Sequence, residues 1–164
     1  MIVADTSALV SLATADTLSM VIDEFDVHCP TLVIEELEST AAYEDSHGTA
    51  ASAVLDLMSQ LTVHEVDTPS VESSRIDAGE AHCLGLCAVI DADFLITDDL
   101  RALPELQRLT DAHVALSPIV LRALVKRNCL TNDEARTKVE QLAATRDWLG
   151  RPIYRRSMSL FDPK

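Results

Sequence analysis

The segment LITDDLR, residues 95–101, holds the feature around which this chain is organised. It overlaps an apolar run over residues 92–96 that is broken only by Asp93, and this run predicts a short buried strand. The strand ends at Thr97 and at two adjacent carboxylates, Asp98 and Asp99. Because neighbouring like charges raise each other's pKa, a bound cation would stabilise such a pair. Mg²⁺ takes oxygen ligands and commonly uses one or two carboxylates, so the pair is a candidate metal site.

The same two carboxylates also fit a purely structural role. Asp98 is a suitable N-cap for a helix that begins near Leu100, and Asp99 would then lie in the first turn of that helix. Both interpretations fit the residues. The choice between them depends on whether other acidic side chains reach the same place in the fold.

The first ten residues repeat the pattern of an apolar strand followed by an acid. Residues 2–10 are IVADTSALV, so a short strand would deliver Asp5 at its carboxyl end. Open α/β sheets present their ligand-binding residues at such strand ends. Ser7 is placed to hydrogen-bond Asp5 or a metal-bound water. Asp5 is also a suitable cap for the helix that follows, and both roles can hold at once.

Two glutamates are further candidates for the same cleft. Glu36 follows Pro30 on a predicted helix, beside the inward-facing Leu37, so it can be partly shielded and point toward a cleft. Glu80 lies three residues after Asp77, as in a capping box, which is a structural role. In the functional interpretation, Glu80 stays ionised near the positive end of its helix and faces the cleft.

Strands alternate with helices over most of the chain. This order predicts an α/β fold, a three-layer α/β/α sandwich with a mostly parallel central sheet. The carboxyl ends of parallel strands gather on one edge, so acids from four segments would converge there. In a phosphodiester hydrolase, such a cluster binds one or two metal ions that activate a water and stabilise the leaving oxygen.

The composition is strongly acidic and poor in lysine. The chain of 164 residues has 27 acidic and 13 basic residues, of which 10 are Arg and 3 are Lys, giving a formal net charge of -14. This balance argues against a broad basic nucleic-acid surface. It suits a salt-rich cytoplasm, where the Debye length shrinks to ~3 Å near 1 M salt, and so predicts a halophilic source.

Neither a secretion signal nor a membrane segment is expected. Met1-Ile2-Val3 lacks a basic region, and no apolar run approaches the ~18 residues that span a bilayer. The cysteines and histidines lack the spacing of a zinc site. We therefore predict a cytoplasmic protein without a membrane partner.

The C-terminal segment 146–156 is an exception to the acidic composition. It carries four arginines together with Trp148 and Tyr154. Arginine and aromatic side chains together can grip phosphates and stack on bases. The alternative is an arm that docks on the acidic body of the protein or on another subunit.

Four segments together resemble the PIN-domain family. They are IVADTSAL at residues 2–9, VIEEL at 33–37, DAGEA at 77–81 and LITDD at 95–99, in the order that the family has them. The resemblance spans about residues 1–125. It implies a PIN-like nuclease domain there, with residues 126–164 as a C-terminal helix and Arg-rich tail packed on or extending the same domain.

The resemblance implies a ribonuclease that depends on Mg²⁺ or Mn²⁺ and hydrolyses RNA phosphodiester bonds. Many relatives are toxins of the VapC-like type, which have an antitoxin protein as partner, and homodimers are common among them. Carried over to this chain, the catalytic acids are Asp5, Glu36, Glu80, Asp98 and Asp99. The metal ligands are Asp5, Glu80, Asp98 and Asp99, with Ser7 and Thr97 in support. The resemblance leaves the Arg-rich tail unassigned, and its composition alone makes Arg151, Arg155 and Arg156 the predicted RNA contacts.

Some features depart from the toxin pattern or suit other classes. Toxin-type members commonly have Asp at the third acidic position, where this chain offers Glu80 or Asp77. A catalytically inactive PIN-like module that binds RNA or protein is the main alternative, although it has no need to tolerate the repulsion among the acids. A phosphotransfer receiver domain would need a lysine opposite its Asp, and the first lysine here is Lys126. A haloacid-dehalogenase-type site would need Asp where Ser7 stands.

Overall fold

A computed structural model describes residues 1–163. Its centre is a sheet of five strands with the spatial order β3-β2-β1-β4-β5, and every neighbouring pair is parallel. The strands are β1 (Ile2–Ala4), β2 (Val27–Pro30), β3 (Thr62–His64), β4 (Phe94–Ile96) and β5 (His113–Ala115).

Helices flank this sheet and complete a three-layer α/β/α sandwich, which confirms the predicted fold class. A short 3₁₀ helix, Met58–Gln60, precedes β3. None of the helices within residues 1–163 has both the length and the apolar character needed to cross a bilayer. The α-helices are α1 (Thr6–Thr14), α2 (Leu18–Glu24), α3 (Thr31–Ala41), α4 (Ser46–Asp56), α5 (Ala78–Ile90), α6 (Leu103–Leu109), α7 (Ser117–Lys126), α8 (Asn132–Thr145) and α9 (Pro152–Ser159).

The order of the strands creates a crevice between β1 and β4. The chain runs from β1 outward through β2 to β3, and then crosses back to β4 and β5 on the other side. β1 and β4 are neighbours, with Ala4 in register with Ile96. In open α/β sheets the point where strand order reverses leaves a crevice outside the carboxyl ends of the strands, and ligands bind there. The residues after Ala4 and Ile96 therefore face this crevice.

Burial in the core explains why the central strands β1 and β4 consist of apolar residues. β1 is covered on both faces, and Ile2, Val3 and Ala4 are all buried. Strands covered on both faces have continuous apolar sequences, whereas the edge strands β3 and β5 are more exposed. Leu9 on α1 and Leu86 on α5 are fully buried with them.

The C-terminal segment packs on the same core as the rest of the chain. Leu142 on α8, Trp148 and Phe161 are all buried in that core. Lys138 of α8 also donates a hydrogen bond of 2.7 Å to the carbonyl oxygen of Ala15 at the end of α1. Residues 126–163 thus add two helices to the sandwich.

The structure corrects two expectations about helices. The helix after the acidic pair begins at Leu103 and not near Leu100, because Asp99 Oδ1 accepts the backbone N–H groups of Arg101 and Ala102 in a preceding turn. The segment that was predicted only as an Arg-rich tail contains α9, whose first residue is Pro152. Proline is suited to that position because a helix leaves its first N–H groups without intrahelical partners.

Candidate functional site

An acidic cleft of about 530 Å³ opens at the carboxyl ends of β1 and β4. It contains acids that are far apart in the sequence and arrive on separate elements. Asp5 follows β1, Glu36 comes from α3, and Asp99 follows β4. The carboxylates that line the cleft are Asp5, Glu36, Asp77, Glu80 and Asp99.

Asp5 is the most enclosed acid of the cleft, with 5% of its surface exposed. It is the N-cap of α1, and its Oδ1 accepts the backbone N–H of Ala8 at 2.8 Å and the hydroxyl of Ser7 at 2.7 Å. Thr97 donates its hydroxyl to Oδ2 at 2.5 Å. Burial raises the pKa of Asp5 to about 6, although these three hydrogen bonds oppose the rise. The capping role and the cleft position coexist, as the sequence allowed.

The hydroxyls of Ser7 and Thr97 tie Asp5 to the segment after β4. Ser7 Oγ accepts the backbone N–H of Asp98 at 2.8 Å while it donates to Asp5. Thr97 Oγ1 accepts the backbone N–H of Asp99 at 3.1 Å while it donates to Asp5. The position of the Asp5 carboxylate is therefore coupled to the backbone that carries the adjacent acids. Ser7 and Thr97, the two predicted supporting residues, thus both contact Asp5.

Glu80 caps α5 and lines the cleft, but the expectation that it stays ionised does not hold for the metal-free protein. Its Oε2 accepts the backbone N–H of Asp77 at 2.9 Å, and Asp77 Oδ1 accepts the backbone N–H of Glu80 at 2.8 Å, which completes a capping box at the start of α5. Burial raises the pKa of Glu80 to about 8, and the nearby charges of Asp77, Asp99 and Asp5 add to the rise. Glu80 is therefore both a cap and a member of the cluster.

Glu36 reaches the cleft from α3 because the neighbouring helix carries no side chain at Gly79. Its Oε2 accepts a hydrogen bond from the hydroxyl of Thr6. A Cβ atom at Gly79 would lie inside van der Waals contact with both carboxylate oxygens of Glu36. Burial raises the pKa of Glu36, with a smaller contribution from Asp77. Gly79 thus makes room for the Glu36 carboxylate.

Replacing Gly79 by alanine is expected to displace Glu36 at little cost in stability. The three atoms nearest to the new methyl group belong to the flexible end of the Glu36 side chain, and alanine favours a helix over glycine by ~1 kcal/mol. We expect the metal-dependent activity of the cleft to fall about tenfold, while the melting temperature of the protein changes by only a few degrees. Gly85→Ala, elsewhere on α5, is the matched control. Unchanged activity in Gly79→Ala would show that the Glu36 position is unimportant.

The structure separates the two adjacent aspartates that the sequence left ambiguous. Asp99 lines the cleft, and its Oδ1 is held by the turn that follows it. Asp98 is buried and does not line the cleft, because its two oxygens accept the backbone N–H of Ser117 at 2.8 Å and the hydroxyl of Ser117 at 2.7 Å. Of the five predicted acids, the structure brings four together and places Asp98 at the start of α7.

The carboxylates of the cleft suit a hard divalent cation. Their donor atoms are all oxygen, and Mg²⁺ and Mn²⁺ prefer oxygen ligands. The raised pKa values of Asp5 and Glu80 mean that the ionised forms of these acids are destabilised when no counter-ion is bound. Within residues 1–163, no three carboxylate, imidazole or thiol groups already surround one metal-sized position. Several carboxylate oxygens are engaged in the caps and turns described above, so a cation would be held by the oxygens and lone pairs that these hydrogen bonds leave free.

The raised pKa values predict that the metal-free protein loses stability as the pH rises. Glu80 has a folded-state pKa of about 8 against an ordinary 4.5, and Asp5 has about 6 against 3.8. Between these values the folded protein keeps protons that the unfolded chain releases, so the free energy of unfolding falls with increasing pH. In chelator, we expect a lower melting temperature at about pH 8 than at about pH 5, and added Mg²⁺ should reverse the loss at the higher pH.

Glu80→Gln provides the reference for this pH profile. Glutamine keeps an oxygen that accepts the Asp77 N–H but has no proton to release in this range. The difference between the two proteins therefore isolates Glu80 from the general repulsion of an acidic chain. Parallel pH profiles for the wild type and the variant would contradict the assignment.

Sequence reasoning missed several residues of the cleft. Tyr43, His47 and Arg146 line it, and only the arginine lay in a segment that had attracted attention. Arg146 ends α8, and its place beside α1 depends on packing that no local pattern indicates. Of the predicted RNA contacts, Arg151 lies in an adjacent pocket, whereas Arg155 and Arg156 are exposed on α9 and line neither space.

Comparison with protein families identifies the family of the chain. A family model described as a PIN domain (DUF3368) matches residues 1–163. The chain belongs to the PIN-domain family. The match includes α8 and α9, so the C-terminal segment lies within the extent of that family model. A comparison with curated proteins finds no significant match. PIN membership confirms the family predicted from the four segments and gives the chain a nuclease-type fold.

Proposed function

We propose that this PIN domain is an endoribonuclease that hydrolyses RNA phosphodiester bonds with Mg²⁺ or Mn²⁺. The observation that carries the proposal is the meeting of Asp5, Glu36, Glu80 and Asp99 in one cleft at the point where strand order reverses. Three of these acids, Asp5, Glu36 and Glu80, have raised pKa values, which is typical of functional carboxylates in clefts. The four acids come from four separate segments, so local folding does not explain their meeting.

Three of the acids would hold the metal. Asp5, Glu80 and Asp99 each keep an oxygen atom or lone pair beyond those used in the caps and turns. Glu36 would complete the site or orient water. A bound Mg²⁺ or Mn²⁺ ion supplies two effects here: it lowers the pKa of a water and stabilises negative charge on the phosphodiester oxygens.

Neighbouring residues would hold these acids in place. Ser7 and Thr97 orient Asp5 through both of its oxygens, and Thr6 orients Glu36. The Asp77 backbone fixes one oxygen of Glu80 and leaves the other toward the cleft. Removing such an outer hydrogen bond typically lowers metal affinity or activity by about 10–100-fold. We expect a loss of about this size for Ser7→Ala.

The direct test is cleavage of RNA by the purified full-length protein. After treatment with chelator, we expect no cleavage of a labelled RNA, and cleavage should return on titration with Mg²⁺ or Mn²⁺. A DNA oligonucleotide of the same sequence shows whether the activity is confined to RNA. A binding module without catalysis would leave the RNA intact at every metal concentration, and this result would refute the proposal.

The toxin role is a narrower proposal that rests on the resemblance to VapC-like relatives. It requires an antitoxin partner, and an adjacent gene for a small DNA-binding protein would support it. Toxin-type members commonly have aspartate where this chain has Glu80, so an RNA-processing role is the alternative. The cytoplasmic location, the homodimer and the halophilic source also remain predictions from sequence.

A further inference from the structure

A second pocket of about 330 Å³ adjoins the acidic cleft. Ser7, Asp99 and Arg146 line both spaces, so the two lie side by side and share these residues. Three arginines line the second pocket: Arg101 from the turn after β4, Arg146 at the end of α8, and Arg151 at the start of α9. We call this space, defined by those three residues, the arginine pocket.

The arginine pocket is a local exception to the charge of the chain. The protein carries only 13 basic residues against 27 acidic ones, yet three of the basic residues meet beside the cleft. Arg101 and Arg146 form no ion pair with any carboxylate in residues 1–163. Arg151 pairs with Asp147 at 2.7 Å, and both of these side chains are exposed, so this pair is weak and exchangeable.

The two acids that border the arginine pocket, Asp98 and Asp99, accept hydrogen bonds from other groups and form no ion pair with its guanidinium groups within residues 1–163. Asp98 also borders the pocket, but both of its oxygens accept hydrogen bonds from Ser117. Asp99 lies on the boundary with the cleft, where we propose that it holds a cation. With Asp99 engaged in this way, the pocket presents three guanidinium groups to a ligand.

Arg146 is fixed in position by the same residues that organise the acids. Its Nε donates to Ser11 Oγ at 2.9 Å, and its Nη2 donates to the backbone carbonyl of Ser7. Ser7 in turn donates its hydroxyl to Asp5. Nη1 of Arg146 makes no hydrogen bond in the described chain, so the guanidinium group keeps donors for a ligand. Because Ser7 and Ser11 both lie on α1, that helix sets the position of the guanidinium group relative to Asp5.

We propose that the arginine pocket binds a backbone phosphate of single-stranded RNA next to the phosphodiester held at the acids. Guanidinium groups match phosphate oxygens in geometry and charge, and they are less strongly hydrated than lysine ammonium groups. A strand that lies across both spaces would place one phosphate at the acids and a neighbouring phosphate among Arg101, Arg146 and Arg151. This inference rests on the proposed nuclease function, and it places the RNA contacts here and not on Arg155 and Arg156.

Binding of RNA to a cleavage-deficient protein tests the pocket separately from catalysis. The background is Glu36→Gln, which keeps the three proposed metal-holding acids, and the probe, with Mg²⁺ present, is a fluorescein-labelled single-stranded RNA oligonucleotide followed by fluorescence anisotropy. We expect Arg101→Ala with Arg151→Ala to raise the Kd about tenfold or more. The slope of log Kd against log salt concentration should fall by about 0.7 for each lost phosphate contact. Lys126→Ala, which removes a charge at the far end of α7, should change neither quantity.

Arg146→Lys gives a second, independent measurement. Lysine keeps the charge but loses the planar fork, so we expect weaker RNA binding with little change in the salt slope. Circular dichroism melts establish that each variant is folded, and single Arg101→Gln and Arg151→Gln variants replace the double variant if it is not. Equal affinity and salt slope in the pocket variants and in Lys126→Ala would overturn the proposal, as would absence of RNA binding.

The outcomes also distinguish this proposal from the proposed function. If the wild type fails to cleave RNA but the pocket variants lose RNA affinity as expected, the arginine pocket stands and the nuclease activity falls. If the wild type cleaves RNA and the pocket variants bind it normally, the nuclease stands and the arginine pocket falls.

Discussion

Replacing Asp5 by asparagine is expected to reduce metal-dependent RNA cleavage by more than about 100-fold while the protein stays folded. Loss of an outer hydrogen bond at a metal site costs 10–100-fold, and loss of a charged ligand should cost more. Asparagine keeps an oxygen for the N–H of Ala8 and the hydroxyl of Ser7. The Thr97 hydroxyl can turn to accept from the new amide, so the surrounding hydrogen bonds persist.

Stability measurements make this result specific to the site. Because burial disfavours the charged form of Asp5, removing its charge should leave the metal-free melting temperature at about pH 7 unchanged or slightly higher. The stabilisation by Mg²⁺ or Mn²⁺ should be lost in the variant. Asp23→Asn, on the exposed face of α2, is the control of equal charge change. Cleavage near the wild-type rate in Asp5→Asn, with metal present, would rule out Asp5 as a ligand.

The second large effect separates activity from stability at Asp98 and Asp99. Asp99→Asn should lose most cleavage activity because it removes a charge from the cleft, while its amide oxygen can still accept the N–H groups of Arg101 and Ala102. Asp98→Asn should keep most activity because Asp98 does not line the cleft. Initial cleavage rates at saturating Mn²⁺ measure this contrast.

Alanine substitutions should give the opposite order for stability, with a larger loss at Asp98 than at Asp99. Asp98→Ala leaves the buried N–H and hydroxyl of Ser117 without an acceptor at the start of α7, and we expect a loss of about 2–3 kcal/mol in the free energy of unfolding. Asp99→Ala should lose less than about 1 kcal/mol because its turn is reached by water. Urea denaturation measures both values. A larger activity loss in Asp98→Asn than in Asp99→Asn would refute the assignment.

Local patterns in the sequence predicted the parts of the site that depend on short-range contacts. Ser7 and Ala8 bond Asp5 across two and three residues, and the Asp77–Glu80 capping box spans one turn. Such contacts follow from residue type and spacing, because the backbone within one turn has few conformations. The α/β architecture was predictable for a similar reason, since strands covered on both faces must be apolar and alternate with helices.

The ambiguity between Asp98 and Asp99 could not be resolved from the sequence. Both residues lie beyond the end of β4, in a segment that leads into a turn, so no regular periodicity predicts which of the two faces the cleft. Which one does so depends on Ser117, 19 residues farther along the chain, which binds Asp98 at the start of α7. The site of Glu36 likewise depends on the space left by Gly79 on another helix.

The sequence by itself determined the parallel sandwich and which acids stand at strand ends and helix starts, because periodicity and capping act within a few residues. Only the tertiary structure decided which carboxylates share the cleft and that Arg146 lies beside them, 139 residues from its partner Ser7. Contacts of that range are set by how α8 packs on α1, and packing depends on the shape of the whole core and not on any local pattern.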